Sequence, residues 1–234
     1  MDNAKNIEDS IKLSIEKAFE IILKNLNYTL PISANSRSGA EISDYLEDEL
    51  VKYFSKFTHD NISNLIGAPK GKTKNPFDFA FDYHKNDFSD FIWADIKAIN
   101  INYEDSNPDL GTPNKIIDFI LDNHFYLLFV LIKYKPNKNQ TLIIPDKDGK
   151  YVKCTFLKDI NKSVRINPKP QFQVGINEKK EYRTIEEFII LFKNKYKESL
   201  ERIIEKAQKK QKGLDETFKK LELKIKNYKK VQKL

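Results

Sequence analysis

The sequence points to an α/β architecture: a mixed β-sheet flanked by helices, with a long helical segment at the C-terminal end. Three patterns say so. Apolar residues recur at helical spacing at Ile7, Ile11, Ile15, Phe19, Ile22 and Leu26, and again at Ile42, Leu46, Leu50 and Phe54. From Phe77 to Tyr83 they alternate at period two, the signature of extended chain. From Leu200 to Tyr228 they step alternately by four and three, which is a heptad seam.

Each element follows in order. The first helical run ends in the loop "LPISANSRSG". Ser38 and Glu41 then match a capping box, opening the second helix. In "FDFAFDY", Phe77, Phe79, Phe81 and Tyr83 alternate with Asp78, Ala80 and Asp82, predicting a strand. "KNDFSD" turns the chain into a second strand, "FIWADIKAI". There Phe91, Trp93, Asp95, Lys97 and Ile99 share one face, and Ile92, Ala94, Ile96 and Ala98 give an apolar face for a helix to cover. Thr112 as N-cap and Pro113 at the first helical position start a helix running to about Asp122. "FYLLFVLIKY" is almost wholly apolar and reads as a strand buried on both faces. "TLIIP", "YVKCTFL" and "QFQVGI" are weaker strands. From Thr184 the pattern is helical, with Gln211 as the one polar interruption of the seam. A continuous helix of about 50 residues would span about 75 Å, so it must project, pair with another helix, or bend near Gly213. Two units are expected: a domain over residues 1–183 and a basic helical extension over 184–234.

Composition excludes several classes. With 40% hydrophobic residues, 16 of them Phe, the chain of 234 residues can bury a real core. No apolar run is long enough to cross a membrane, and the polar start "MDNAKNIEDS" predicts no export signal. A single cysteine, Cys154, rules out an intrachain disulfide framework and fits a reducing cytoplasm; in its strand it reads as packing. The net charge of +7 lies in the extension, where 15 Lys and Arg stand against 8 Asp and Glu. Such a segment attracts polyanions, although a chain this rich in Lys, Asn and Ile carries surplus lysine in any case. His59, His84 and His124 are scattered and match no zinc or histidine-nuclease spacing.

"GAPKGKTK" looks like a phosphate cradle, but only three residues separate Gly67 from Gly71-Lys72-Thr73, and a strand rather than a helix follows. A nucleotide loop needs four residues there and a helix N-terminus aimed at the phosphate. The stronger constellation lies just beyond. If the two strands pair as a hairpin, Asp78 and Asp95 meet on one face, with Lys97 beside them. Two close carboxylates repel, and a divalent cation relieves that repulsion. Carboxylates with the carbonyl of Ile96 are hard oxygen ligands suited to Mg²⁺. Mg²⁺ would acidify an attacking water, and Lys97 would hold that water and stabilise the phosphorane-like oxyanion. That outlines phosphodiester hydrolysis. The bland alternative is an exposed strand face with an ordinary ion pair. "SNPDLG" offers a literal Pro108-Asp109, but no acid-x-lysine strand follows it, so it reads as a turn and helix approach.

Asp78 and Asp95-Ile96-Lys97 resemble the PD-(D/E)xK nuclease pattern, the core of most type II restriction endonucleases. Phe77 separates Pro76 from Asp78, and the second acid is Asp rather than the commoner Glu. A closer resemblance, over roughly Ser36 to Arg183, lies in "GAEISDYLEDELVKYF", "GAPKGKTKNPFD", "DSNPDLGTPNKI" and "RINPKPQFQV", which are similar to blocks of a restriction enzyme of this type. The resemblance implies a restriction-endonuclease-like core and a Mg²⁺-dependent homodimer cutting double-stranded DNA at an AT-rich palindrome to blunt ends. It also implies a cognate DNA methyltransferase protecting host DNA. In such enzymes an acid on the helix before the strands often reaches the metal; Glu41 fits that role and the helix cap equally.

Several residues are candidates for DNA contact. Lys70, Lys72 and Lys74 lie just before Asp78, where a backbone could run. In "RINPKPQFQV", Gln171 and Gln173 point to one side and Phe172 to the other; Gln and Asn, here Asn107 and Asn167 as well, suit adenine in the major groove. Arg165 and Lys169 suit phosphates. Thr112, Asn114 and Lys115 form the start of a helix whose N–H groups favour an anion. Each stretch also reads as an ordinary surface loop or cap. Two further functions compete: a repair or junction-resolving nuclease on the same core, and a non-catalytic DNA-binding or coiled-coil scaffold.

Overall fold

The computed structural model describes residues 2–33, 38–56, 61–68, 77–103, 108–167, 169–175 and 178–231. Its elements are α1 (Asp2–Asn25), β1 (Thr29–Leu30), α2 (Ser38–Lys56), β2 (Ile62–Gly67), β3 (Phe79–Lys85), β4 (Phe88–Asn100), α3 (Pro113–Leu121), β5 (Leu127–Asn137), β6 (Gln140–Ile144), β7 (Val152–Phe156), β8 (Arg165–Ile166), β9 (Phe172–Gln173) and α4 (Ile185–Val231). Seven strands form one mixed sheet in the order β1-β6-β5-β4-β3-β2, with β7 also on β5. Only β4 and β5 run parallel in it. A parallel pair needs a crossover over one face, and α3 supplies it.

The apolar face anticipated on β4 is where the larger core forms. Ile92, Ala94 and Ile96 point the same way as Phe79, Phe81 and Tyr83 of β3, and α1 and α2 cover them with Ile11, Ile15, Phe19, Ile42, Leu46 and Leu50. Each such fully buried side chain contributes about 1.5–3 kcal/mol. β5 is buried on both faces, as its composition requires. Leu128, Val130 and Ile132 join the first core, while Leu127 and Phe129 join a second with Ile116 and Phe119 of α3 and Phe188 and Phe192 of α4. The molecule is therefore helices, sheet, helices. The second layer is incomplete, and the gap it leaves is a cleft along the half-buried polar face of β4.

The hairpin forms. Asn86, at φ +55°, carries the two-residue turn between β3 and β4, a conformation Asn adopts more readily than most residues. Cys154 is buried in β7 and its thiol is pushed well above its ordinary value by burial, so it packs. His84 pairs with Ser89, and His124 sits among Phe91, Trp93 and Phe119; His59 lies outside the described residues. Among the described residues no helix is long and apolar enough to cross a membrane.

Three elements add to or refine what the sequence predicts. β2, which no periodicity announced, leads into the glycine-lysine stretch as an edge strand. "QFQVGI" yields only the two paired residues of β9, which pair with β8 and lie outside the main sheet. Of the three outcomes open to the C-terminal helix, projection is the one seen: α4 runs unbroken through Gly213 for 47 residues, about 70 Å. Its first turns pack on the second core and the remainder projects, with every described side chain from Leu200 to Tyr228 exposed.

Candidate active site

The register that pairs Phe79 with Ala94 and Ala80 with Trp93 puts Asp78 opposite Asp95, on the face away from α1 and α2. The backbone confirms the alignment, since Asp78 N–H donates to the Ala94 carbonyl at 2.8 Å. β3 ends at this point, so the next N–H and carbonyl of β4 on that side have no strand partner. The Ile96 N–H donates to Asp78 Oδ2 at 2.7 Å, and the Ile96 carbonyl accepts the Ser43 hydroxyl from α2 at 3.0 Å. Two residues further along β4, Lys97 Nζ pairs with Asp95 Oδ2 at 2.7 Å. Three side chains 19 residues apart at most in sequence are thus fixed by backbone geometry alone.

The two carboxyls face each other closely enough that each acts on the other's ionisation. Burial, then the charge of Asp95, pushes Asp78 from 3.8 up to about 7. Burial also raises Asp95, opposed first by Lys97 and more weakly by Lys115. Both shifts disfavour two negative charges side by side, and a cation between such carboxylates relieves that repulsion. The donor set fits Mg²⁺: two carboxylates, with room for the water and phosphate oxygens that this ion prefers to retain. The Ile96 carbonyl, expected as a further ligand, has one lone pair engaged by Ser43. Among the described residues no group of three or more His, Cys, Asp or Glu is placed to hold an ion.

The pair opens into a cleft of about 260 Å³ between β4, the 109–112 segment, the start of α3 and Gln171. Thr112 caps α3, its hydroxyl accepting the Lys115 N–H at 3.4 Å, and Thr112 and Lys115 both line the cleft. Asn114 is exposed beside it and meets the Tyr196 hydroxyl at 3.5 Å. Gln171 and Gln173 flank the buried Phe172, as alternation requires, but they differ in use. Gln171 lines the cleft, whereas Gln173 donates to Asp109 Oδ1 at 2.7 Å. Asn167 is also engaged: it donates to Asp109 at 3.4 Å, and its Oδ1 accepts the N–H groups of Lys169 and Gln171. In this structure Asn167 and Gln173 shape the loop. Asp109, read as a turn residue, is the acid they grip and a wall of the cleft. Arg165 and Lys169 are exposed. Lys70, Lys72, Lys74 and Asn107 lie outside the described residues.

Glu41 is not brought to the pair. Gly39 and Ser43 face β4, at Ala98 and Ile96. Glu41 lies midway between them in sequence, about 200° from Gly39 around the helix, and is exposed. The acid on the inner face is Glu47, one turn after Ser43. It accepts the Ala68 N–H at 3.0 Å, and that same N–H donates to the Asp78 carbonyl at 2.7 Å. Gly67 passes so close to Glu47 that a Cβ there would make its carboxylate shift. Neither Ser43 nor Glu47 is singled out by the sequence patterns above. The signal available was their i, i+4 spacing from Gly39 and Ser43, which places all three on one helical face.

A family model described as SwaI-like, for the SwaI restriction endonuclease, matches residues 3–214. No curated protein matches the chain.

Proposed function

Because the chain belongs to the SwaI-like restriction endonuclease family, we propose that it is a type II enzyme hydrolysing phosphodiester bonds of double-stranded DNA. Its site is an AT-rich palindrome, its cofactor is Mg²⁺ and its products are blunt ends. The observation that supports the chemistry is the facing pair Asp78 and Asp95 with Lys97 in one open cleft.

Asp78 and Asp95 would hold the ion. When bound, it supplies charge neutralisation at the phosphate and a more acidic attacking water. Lys97 turns one donor from Asp95 to that water and stabilises charge building on the phosphoryl oxygens. Lys115 and the N–H groups that open α3 hold the neighbouring phosphate on the opposite wall. Gln171 faces the duplex from the same cleft, and Arg165 and Lys169 lie on the outside of that loop as phosphate contacts. The lysines before Asp78 bring the backbone in. A palindrome cut on both strands asks for two symmetry-related sites, hence a homodimer. A companion methyltransferase protects host DNA, and the cytoplasm is the compartment of both.

The test is incubation with a long duplex of complex sequence and Mg²⁺. Discrete fragments whose sequenced ends share one palindrome support the reading. Nicks confined to branched substrates assign a resolving nuclease, and no cleavage with any divalent ion assigns a scaffold. Two substitutions locate the chemistry. Lys97→Ala should lower the cleavage rate by about 10²- to 10⁴-fold with specific binding retained; a rate within a few-fold of wild type removes Lys97 from the mechanism. Lys115→Ala should weaken binding similarly for all sequences and reduce the salt slope of log K by about one. An unchanged slope places Lys115 off the phosphate path.

A further inference from the structure

The hairpin of β8 and β9 has little to hold it in place by itself. Each strand is two residues long, and a two-stranded ribbon that short is not stable alone. Residues 109–111 lie beside it as a third strand. Asp109 pairs with Gln173, the Leu110 N–H donates to the Phe172 carbonyl, and the Phe172 N–H donates to the Gly111 carbonyl, both at 2.8 Å. One residue later Thr112 caps α3. The loop that carries Gln171 and the helix that carries Lys115 are therefore joined by backbone pairing, and both line the cleft of Asp78 and Asp95.

Asp109 lines that cleft too. A third carboxylate in a cleft that admits a phosphodiester repels it, so its presence there calls for a physical reason. Two amides supply one. Gln173 donates to Asp109 Oδ1 at 2.7 Å, and Asn167 donates to the same oxygen at 3.4 Å. By taking the Asn167 NH₂, Asp109 turns that amide so that its oxygen accepts the N–H groups of Lys169 and Gln171, at 2.9 and 3.1 Å. This chain of bonds holds the bend that presents Gln171. The Gln171 side chain itself makes no hydrogen bond among the described residues. Folding does not depend on the tie. The backbone bonds to 110 and 111 remain without it, and Phe172 stays seated against Phe192, with 5.1 Å between ring centroids.

We propose that Asp109 is a positioning residue for sequence recognition. Its carboxylate fixes the tip of the hairpin to the strand that opens α3. Gln171, the uncommitted amide of the loop, then meets a base edge in a set register with the Asp78 and Asp95 pair. The base follows from the amide, because Gln pairs bidentately with adenine in the major groove. Asn167 and Gln173 carry the same chemistry but are spent on Asp109 and do not read. Asp109 touches neither base nor ion; it supplies the orientation of a group that does. The inference rests on the DNA-cutting reading above, and names within it the side chain that reads and the one that aims it.

The test uses the full chain and the cognate duplex found by sequencing fragment ends, with single A·T pairs replaced one at a time and binding measured in Ca²⁺. Gln171→Ala should lose discrimination at one A·T pair, by about tenfold. Asp109→Ala should lose it at the same pair and to a similar degree, with affinity for unrelated duplex and the melting temperature little changed. The double variant should be no worse than Gln171→Ala, because one residue acts through the other. Asp109→Asn keeps an oxygen for both amides and should discriminate as wild type does. Losses that add in the double variant, a loss at a different pair, or an equal fall in affinity for every duplex each overturn the proposal. So does Asp109→Asn as poor as Asp109→Ala, which would make charge rather than the tie the cause. A wild type with no preferred sequence is distinguishable from all of these: it sinks the functional reading before any substitution is made, and this proposal with it.

Discussion

Asp78→Asn is expected to abolish cleavage and at the same time raise the melting temperature of the metal-free protein. The two effects have one cause. Burial and the facing Asp95 push Asp78 from 3.8 to about 7, so ionising it costs more in the folded chain than in the unfolded one. A carboxyl raised in this way stabilises the fold fully only below its unfolded value, and that contribution is lost as pH rises through about 7. At pH 8 the cost is a few kcal/mol; Asn carries none of it. The variant should therefore melt several degrees above wild type at pH 8, and the gap should close on acidification towards pH 4. Mg²⁺ or Ca²⁺ should raise the melting temperature of wild type, more strongly as pH increases through 7, and leave Asp78→Asn nearly unmoved. Cleavage in the variant should fall by about 10³-fold or more, because the remaining acid cannot hold the ion alone. A variant that melts below wild type at pH 8 would mean that the pair is not under electrostatic strain, and the reading of the site as a cation trap would go with it.

That pair was legible because a hairpin is a local object. A two-residue turn at Asn86 and Asp87 mirrors Asp78 onto Asp95 and Phe79 onto Ala94, so turn chemistry and strand alternation together fix the approach of two acids. The faces of β4, the doubly buried β5 and the capped start of α3 follow from equally local patterns. What stayed hidden depends on contacts across the fold. β2 was missed because it is an edge strand with an irregular register between Ser63 and Ile66, and Asn64 takes φ +49°; burial along it does not alternate. Gln173 and Asn167 looked available for base edges because nothing local engages them. Their partner, Asp109, is 64 and 58 residues away. Glu41 drew attention for its place in a capping box, whereas the helix turns Ser43 towards β4 and Glu47 towards the chain before β3. That preference is set by which helical face docks on the sheet, a tertiary fact. The heptad seam was legible too, since a stripe that repeats for four heptads needs no tertiary information.

The largest expected loss of stability lies far from the acids, at Lys158. Its ammonium is almost wholly buried, yet it has a complete set of partners: Glu8 Oε2 and Asp159 Oδ1, each at 2.8 Å, and the Arg183 carbonyl at 2.6 Å, with the Tyr182 ring 4.1 Å away. The site ties α1, the turn at 157–159 and the strand-like segment that delivers the chain into α4. Arg183 is itself anchored there, its N–H on Asp159 at 3.1 Å and its guanidinium on the carbonyls of Lys158 and Ile160. Replacing such a group by hydrocarbon can be neutral only if the opposing charges leave with it. Lys158→Ala leaves Glu8 and Asp159 buried and facing each other, so the expected loss is about 3–5 kcal/mol, or about 10 °C in melting temperature for a chain of this size. The loss should depend on pH in a stated sense. Burial already raises Glu8 above its usual value, and Lys158 is the main group holding it down. Without that cation Glu8 rises further, and a raised carboxyl destabilises more as pH increases. The deficit of Lys158→Ala should therefore be larger at pH 8 than at pH 5, and Glu8→Gln added to it should recover part of the loss at pH 8 and little at pH 5. Because α4 begins two residues after Arg183, this buried cluster also sets the direction in which the long helix leaves the body. A melting temperature within 2 °C of wild type at pH 8 would show that the cluster is a by-product of packing rather than a lock on the fold.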